Sequence, residues 1–280
     1  MTDLAELARL IRADATARGQ TISRLGYFCA PFRPTEGPFA DRVIKVYRGL
    51  DDESALAQLQ RCHDDYVAAL RAGGVPMPET AFHLLKLEGG TVPVVVQEAL
   101  PVDTLMRPLM QTAPRDETLD MMEAAGGVIA QFWLWARTQE DRIGFHPSIR
   151  NFAIRDGEAV FFDTFPPLIH YTRTEMGRML LTFSDNRIMR LIGPLMQSRV
   201  VGIQDEWYSP SETLVGLVGS ACRLRPEHAN DYLDWGRDFV SRKMAPWAEE
   251  ALKGLEAPPR LPGYWTGFRK LLGLQGEPNV

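Results

Sequence analysis

Apolar residues near the start of the chain recur at helical spacing. Leu4, Leu7, Leu10 and Ile11 fall on one stripe, which predicts an amphipathic helix over residues 3–17. After Gly19 the period changes. Residues 22–32 (ISRLGYFCAPF) read as extended, RPTEGPFAD interrupts them, and RVIKVY (42–47) is rich in β-branched positions. These two segments are expected to pair as a hairpin with an irregular tip. A helix is predicted from about Asp52 to Ala72, where Leu56, Leu59, His63, Tyr66 and Leu70 recur three and four apart. Asp51, Asp52 and Glu53 suit its N-terminus through the helix dipole, and Gly73-Gly74 ends it. AFHLLKL (81–87), the turn EGGT and VPVVVQ (92–97) then form a second hairpin.

From Thr118 onward the pattern is helical. Leu119, Met122, Ala125, Ile129, Phe132, Trp133 and Ala136 mark a long apolar helix at the centre of a second region. NFAI (151–154) and AVFFD (159–163) are two short strands joined by the tight turn RDGE. SPSE (209–212) is a helix start, with Ser209 as cap and Pro210 in the first turn. A further helix runs from about Pro226 through Phe239 toward Trp247. The expected organisation is an N-terminal helix (1–19), a β-rich part (20–97), a helical part carrying one hairpin (98–256) and a tail (257–280). The class is α+β.

Composition narrows the function. At 280 residues the chain is long enough for one large domain or two units sharing a cleft. The balance of 31 basic against 36 acidic side chains leaves no electrostatic footprint for nucleic acid. Cys29, Cys62 and Cys222 are too few and too scattered for a disulfide framework, which fits a cytoplasmic protein. Neither a CxxC nor an HExxH pattern occurs, so no zinc-type site is expected. No apolar run is long enough to span a bilayer. Trp133 and Trp135 read as packing residues on the long helix, and Met106, Met110, Met121 and Met122 as core or cleft filler.

The element order, VIKVY in an early strand, and NFAIRDGEAVFFDTF in the helical part together resemble the kinase-like phosphotransferases, closest to the aminoglycoside and choline/homoserine kinase branch. The late segment LIGPLMQSRVVGIQDEW also resembles a bacterial family of kinase-like proteins of unknown function. The resemblance covers roughly residues 20–240 and rests on three short motifs. It implies a protein-kinase-like bilobal fold, with a small antiparallel-sheet N-lobe and a larger, mainly helical C-lobe.

The resemblance also assigns roles. Lys45 stands where such enzymes hold the nucleotide phosphates with a fixed positive charge. Asp64 is the candidate carboxylate partner for it on the following helix, since no glutamate lies on the inward face. Asn151 and, twelve residues later, Asp163 fall at the metal-binding positions, and an amide oxygen and a carboxylate suit Mg²⁺. The hairpin between them should bring both to one edge. QEAL (97–100) would form the hinge, with Glu98 and Leu100 meeting the nucleotide base. Counting five positions back from Asn151 gives His146, an imidazole where the family carries the carboxylate base. Two departures stand out: that histidine, and the poor glycine content of LGYFCAPFRPTEGP, with Gly26 and Gly37 far apart.

Two functions follow as expectations. The first is an enzyme using ATP (or another NTP) and Mg²⁺ to phosphorylate a hydroxyl of a small molecule or peptide. The second is a catalytically degraded pseudokinase that binds a ligand or a protein partner. A nucleotidyl transferase built on the same site is a third.

Overall fold

The structure, a computed structural model, describes residues 3–13, 20–21, 29–50, 52–183 and 204–259. It is α+β, with a small antiparallel sheet followed by a mostly helical remainder. Helix α1 (Leu4–Arg12) is capped by Asp3, whose carboxylate accepts from the Glu6 N–H at 3.0 Å. Residues 14–19 and 22–28 of the segments read above as helix and strand lie outside the described residues.

The five-stranded sheet is built from β1 (Gln20–Thr21), β2 (Phe32–Arg33), β3 (Arg42–Val46), β4 (Thr80–Leu87) and β5 (Gly90–Glu98), in the order β1-β2-β3-β5-β4. Ile44 pairs with Val96 and Lys45 with Val95, so side-chain alternation sorts the strands into two faces. Ile44, Leu85, Val94 and Val96 bury against Leu7, Leu10 and Ile11 of α1. The opposite face carries Lys45, Val95 and Phe82, and turns toward helix α2 (Glu53–Ala72) and the rest of the molecule. Asp52 caps α2 through the Ala55 N–H at 2.7 Å, and Leu56, Leu59, His63, Tyr66 and Leu70 are its buried stripe, as the spacing predicts.

The helical remainder begins with α3 (Met106–Thr112), which the sequence pattern did not reveal. Leu-Met-Arg-Pro-Leu-Met is too short and too interrupted to show a period, yet Met106 and Met110 are fully buried. Helix α4 (Arg115–Ala136) is central and starts about a turn earlier than Thr118, with Asp116 and Glu117 in a first turn whose dipole favours acids. Around it stand α5 (Arg173–Thr182), α6 (Pro210–Leu224), α7 (Ala229–Lys243) and α8 (Ala248–Gly254). Trp133 is core, its indole N–H donating to Thr213 at 2.8 Å. At Gly126 a Cβ would stand 3.0 Å from both Phe239 and Trp235, so a side chain there would require those rings to shift by a few tenths of an ångström. The stretch from Pro226 to Trp247 is not one helix: 3₁₀ turns at Pro226–His228 and Ala245–Trp247 flank α7, and Pro246 lacks the N–H that a continuous ladder would need at its end. Strands β6 (Phe152–Arg155) and β7 (Glu158–Phe161) form a separate hairpin. No helix among the described residues is long and apolar enough to cross a membrane.

Candidate functional site

The β6–β7 hairpin sets the site's geometry. Its turn places Asp156 and Gly157 at φ 53 and 82, the left-handed region that an Asp-Gly pair supplies in a two-residue loop. That turn fixes the register, with Phe152 opposite Phe161. Just beyond, the Phe162 N–H donates to the Asn151 carbonyl at 3.0 Å. Asn151 therefore lies against the residue before Asp163, at the open end of the hairpin, as their spacing predicts. The Phe161 N–H donates to the Pro76 carbonyl at 2.8 Å, tying the hairpin to the connection between α2 and β4.

Lys45 reaches the same place from the sheet. Its ammonium donates to the Phe162 carbonyl at 2.8 Å and lies 5.9 Å from the Phe162 ring centre. The side chain is buried, and no carboxylate among the described residues comes within ion-pair distance of it. Residues 117 apart in sequence thus converge within one residue of Asp163.

Asp64 does not join them. Its carboxylate is exposed, and its acidity is set by partial burial and by the neighbouring Asp65, which raise the pKa, and by His83, which lowers it. The expected pairing with Lys45 is absent because the helix turns residue 63 inward and residue 64 sideways. His63 occupies the inward position, 1% exposed, with its Nε2 3.0 Å from the Thr164 hydroxyl. Burial, and then the charge of Lys45, push its pKa down to about 3. The sequence placed His63 on the apolar stripe; that stripe position was the signal that it faces the site.

His146 sits in the loop leading to the hairpin. Asn151 holds this loop by donating from Nδ2 to the His146 carbonyl at 3.0 Å, which turns its Oδ1 away from the loop. The His146 ring centre lies 4.5 Å from that of Trp207. Burial lowers its pKa, Asp163 pulls it back up and Arg150 lowers it further, so the ring is neutral near pH 7. The loop itself is held by the Phe145 N–H on the Trp207 carbonyl (2.6 Å) and the Gly144 N–H on the Leu168 carbonyl (2.8 Å). Trp207, read above only within a family-like segment, is a site residue that its sequence context did not mark.

The QEAL segment ends β5. The Glu98 N–H donates to Glu79 and the Ala99 N–H to Asp41, whereas the Leu100 N–H and C=O have no partner among the described residues. The Glu98 side chain faces outward, 3.9 Å from Arg155. Of the pair proposed for the hinge, Leu100 offers open backbone groups and Glu98 does not offer its N–H. Gly37, with φ 81, is described; Gly26 lies outside the described residues.

The donors present fit one hard divalent cation only in part. The Asp163 carboxylate and the Asn151 Oδ1 make no hydrogen bond or ion pair among the described residues. No group of three or more His, Cys, Asp and Glu side chains there could hold a metal by itself. Such a pair would serve a cation whose remaining ligands are water and phosphate oxygens, the usual habit of Mg²⁺.

A search of the curated proteins finds no match to this chain. A family model does match, over residues 6–276, nearly the whole length. The chain therefore belongs to DUF6206, a family of unknown function.

Proposed function

We propose that this chain is a kinase-like phosphotransferase that takes ATP or another nucleoside triphosphate with Mg²⁺ and phosphorylates an alcohol group of a small molecule or a peptide. One observation carries the reading: the buried Lys45 ammonium, bonded to the residue before Asp163, has among the described residues a single carbonyl as partner and no counter-ion. A buried cation left in that state is costly, and an anionic ligand entering beside it relieves the cost. Phosphates are such a ligand. Asp163 and Asn151 would hold Mg²⁺, which would supply positive charge to offset that of the phosphates.

Each residue then has a task. Lys45 holds the phosphates in place. Leu100, whose N–H and C=O have no partner among the described residues, presents them to the nucleotide base. His146, kept neutral by desolvation, accepts the proton of the acceptor hydroxyl and releases it to solvent. The acceptor oxygen forms a new bond to the terminal phosphorus, the bond to the leaving diphosphate oxygen breaks, and a nucleoside diphosphate departs.

Differential scanning fluorimetry with and without Mg²⁺ tests the binding half. At a nucleotide concentration of a hundred Kd the wild-type chain should gain about 2.7 kcal/mol of stability. Asp163→Ala should erase the difference that Mg²⁺ makes, and Lys45→Met the response to nucleotide altogether. A thermal transition indifferent to every nucleotide would end the reading. Turnover is scored by mass spectrometry of the product, with His146→Ala slower by roughly 10²–10⁴.

One observation favours a second reading. The Trp207 ring packs against that of His146, 4.5 Å between centres, and narrows the approach to it. A pseudokinase that binds nucleotide or a partner without transferring phosphate would give the thermal shift and no phosphorylated product.

A further inference from the structure

The most heavily buried polar contact of the site involves neither a proposed metal ligand nor Lys45. His63 and Thr164 are each 1% exposed, and they meet at 3.0 Å from elements 101 residues apart in sequence. The imidazole also lies against Phe82, with ring centres 4.9 Å apart. Its Nδ1 is buried with no hydrogen-bond partner among the described residues. An orphaned buried nitrogen is a standing cost, and a leucine at this point of the apolar stripe would fill similar space without it. Packing alone therefore does not account for a histidine here. What the histidine adds is one directional bond, and that bond ends on the residue immediately after Asp163.

We infer that His63 is a positioning residue: through Thr164 it ties the backbone that carries Asp163 to helix α2, so that helix and metal-binding turn hold one relative placement. The role assigned to Asp163 rests on the function proposed above; the tie itself does not. Charge explains why an imidazole suits the position. A carboxylate here would pair with Lys45 and use up its charge, and a protonated ring would repel it. With burial and the charge of Lys45 both opposing protonation, the ring is neutral and does neither. It fixes geometry and leaves the ammonium to the ligand.

The test uses Thr164→Val, which keeps shape and removes the hydroxyl, His63→Leu, which removes the imidazole, and His63→Gln, whose amide can still reach Thr164. Hydrogen exchange followed by mass spectrometry reads the tie directly. Amides at 162–165 should exchange faster in Thr164→Val and His63→Leu, near wild type in His63→Gln, and the β4–β5 hairpin should be unchanged in all three. Nucleotide affinity measured with Mg²⁺ and with EDTA reads the consequence. The gain that Mg²⁺ confers should fall by about tenfold or more in the first two variants, as for loss of a group that orients a metal ligand, and the double variant should be no worse than either. Affinity in EDTA should hold, because Lys45 is untouched. If the wild-type chain binds no nucleotide, the proposed function falls and the exchange data still decide the tie. If it binds, but Thr164→Val leaves both exchange and the Mg²⁺ gain at wild-type values, the inference is overturned and the function stands. Should His63→Leu fail to fold, Thr164→Val alone decides.

Discussion

An imidazole that stays neutral when buried takes up a proton once the chain unfolds, so acid favours the unfolded state. His63 has an ordinary pKa of 6.5 when unfolded and about 3 when folded. Above 6.5 neither state carries the proton and the residue leaves stability independent of pH. Between 6.5 and 3 only the unfolded chain binds it, so stability is lost progressively as pH falls through that window. From pH 7 to pH 5 the loss from this residue is about 2 kcal/mol. Urea denaturation at the two pH values should show at least that difference in the wild-type chain and one smaller by about that amount in His63→Gln; equal slopes would refute the buried neutral ring. His146 acts in the same direction, so the variant should flatten the dependence in part. At this scale the sequence was half legible. It marked Lys45, Asn151 and Asp163 by motif, and His63 by stripe. The stripe turned residue 63 inward and residue 64 to its flank; it could not say that residue 63 would meet Thr164, 101 positions away, because only packing brings those elements together.

Among the elements, those with strong local signals formed where the pattern placed them. Asp52 and Ser209 are caps, their side chains accepting from the N–H groups of Ala55 and Glu212. The RDGE turn is the most consequential, since its geometry fixes the register that sets Asn151 against Phe162. Gly157→Ala should test this. Its φ of 82 strains any side chain, although a Cβ there would meet nothing within 4 Å. The expected cost is therefore conformational, about 1–2 kcal/mol by chemical denaturation. A neutral result would mean that the turn tolerates another geometry. Helix α3 shows the opposite case: seven residues with a proline inside have too little period to read, and their burial against the hairpin forms them.

Across the whole molecule, aromatic contacts join the sheet to the helical remainder. Tyr47, which follows β3, stacks on Phe165 at 3.7 Å between ring centres, and Phe183 meets both edge-on at 6.3 and 5.1 Å. Phe165 lies two residues past Asp163, so this cluster and the His63–Thr164 contact grip the same turn from the sheet and from α2. Tyr47→Ala removes a ring that is 2% exposed and should cost about 3–5 kcal/mol, like other buried aromatic truncations. Thermal unfolding followed by both tryptophan fluorescence and far-UV circular dichroism would check it. If sheet and helices unfold as one unit, the two signals stay coincident at a lower temperature.

The sequence by itself determined the α+β class, most helix and strand positions, the caps, the hairpin register and the chemical identity of three converging residues. All of these follow from local periodicity and turn geometry, which act over a few residues. Tertiary structure alone decided that Lys45 reaches the Phe162 carbonyl, that Asp64 turns to solvent while His63 meets Thr164, and that Trp207 packs against His146. Those contacts join residues from 61 to 117 positions apart. No local pattern encodes them; they follow from how the faces of helix, sheet and hairpin bury one another.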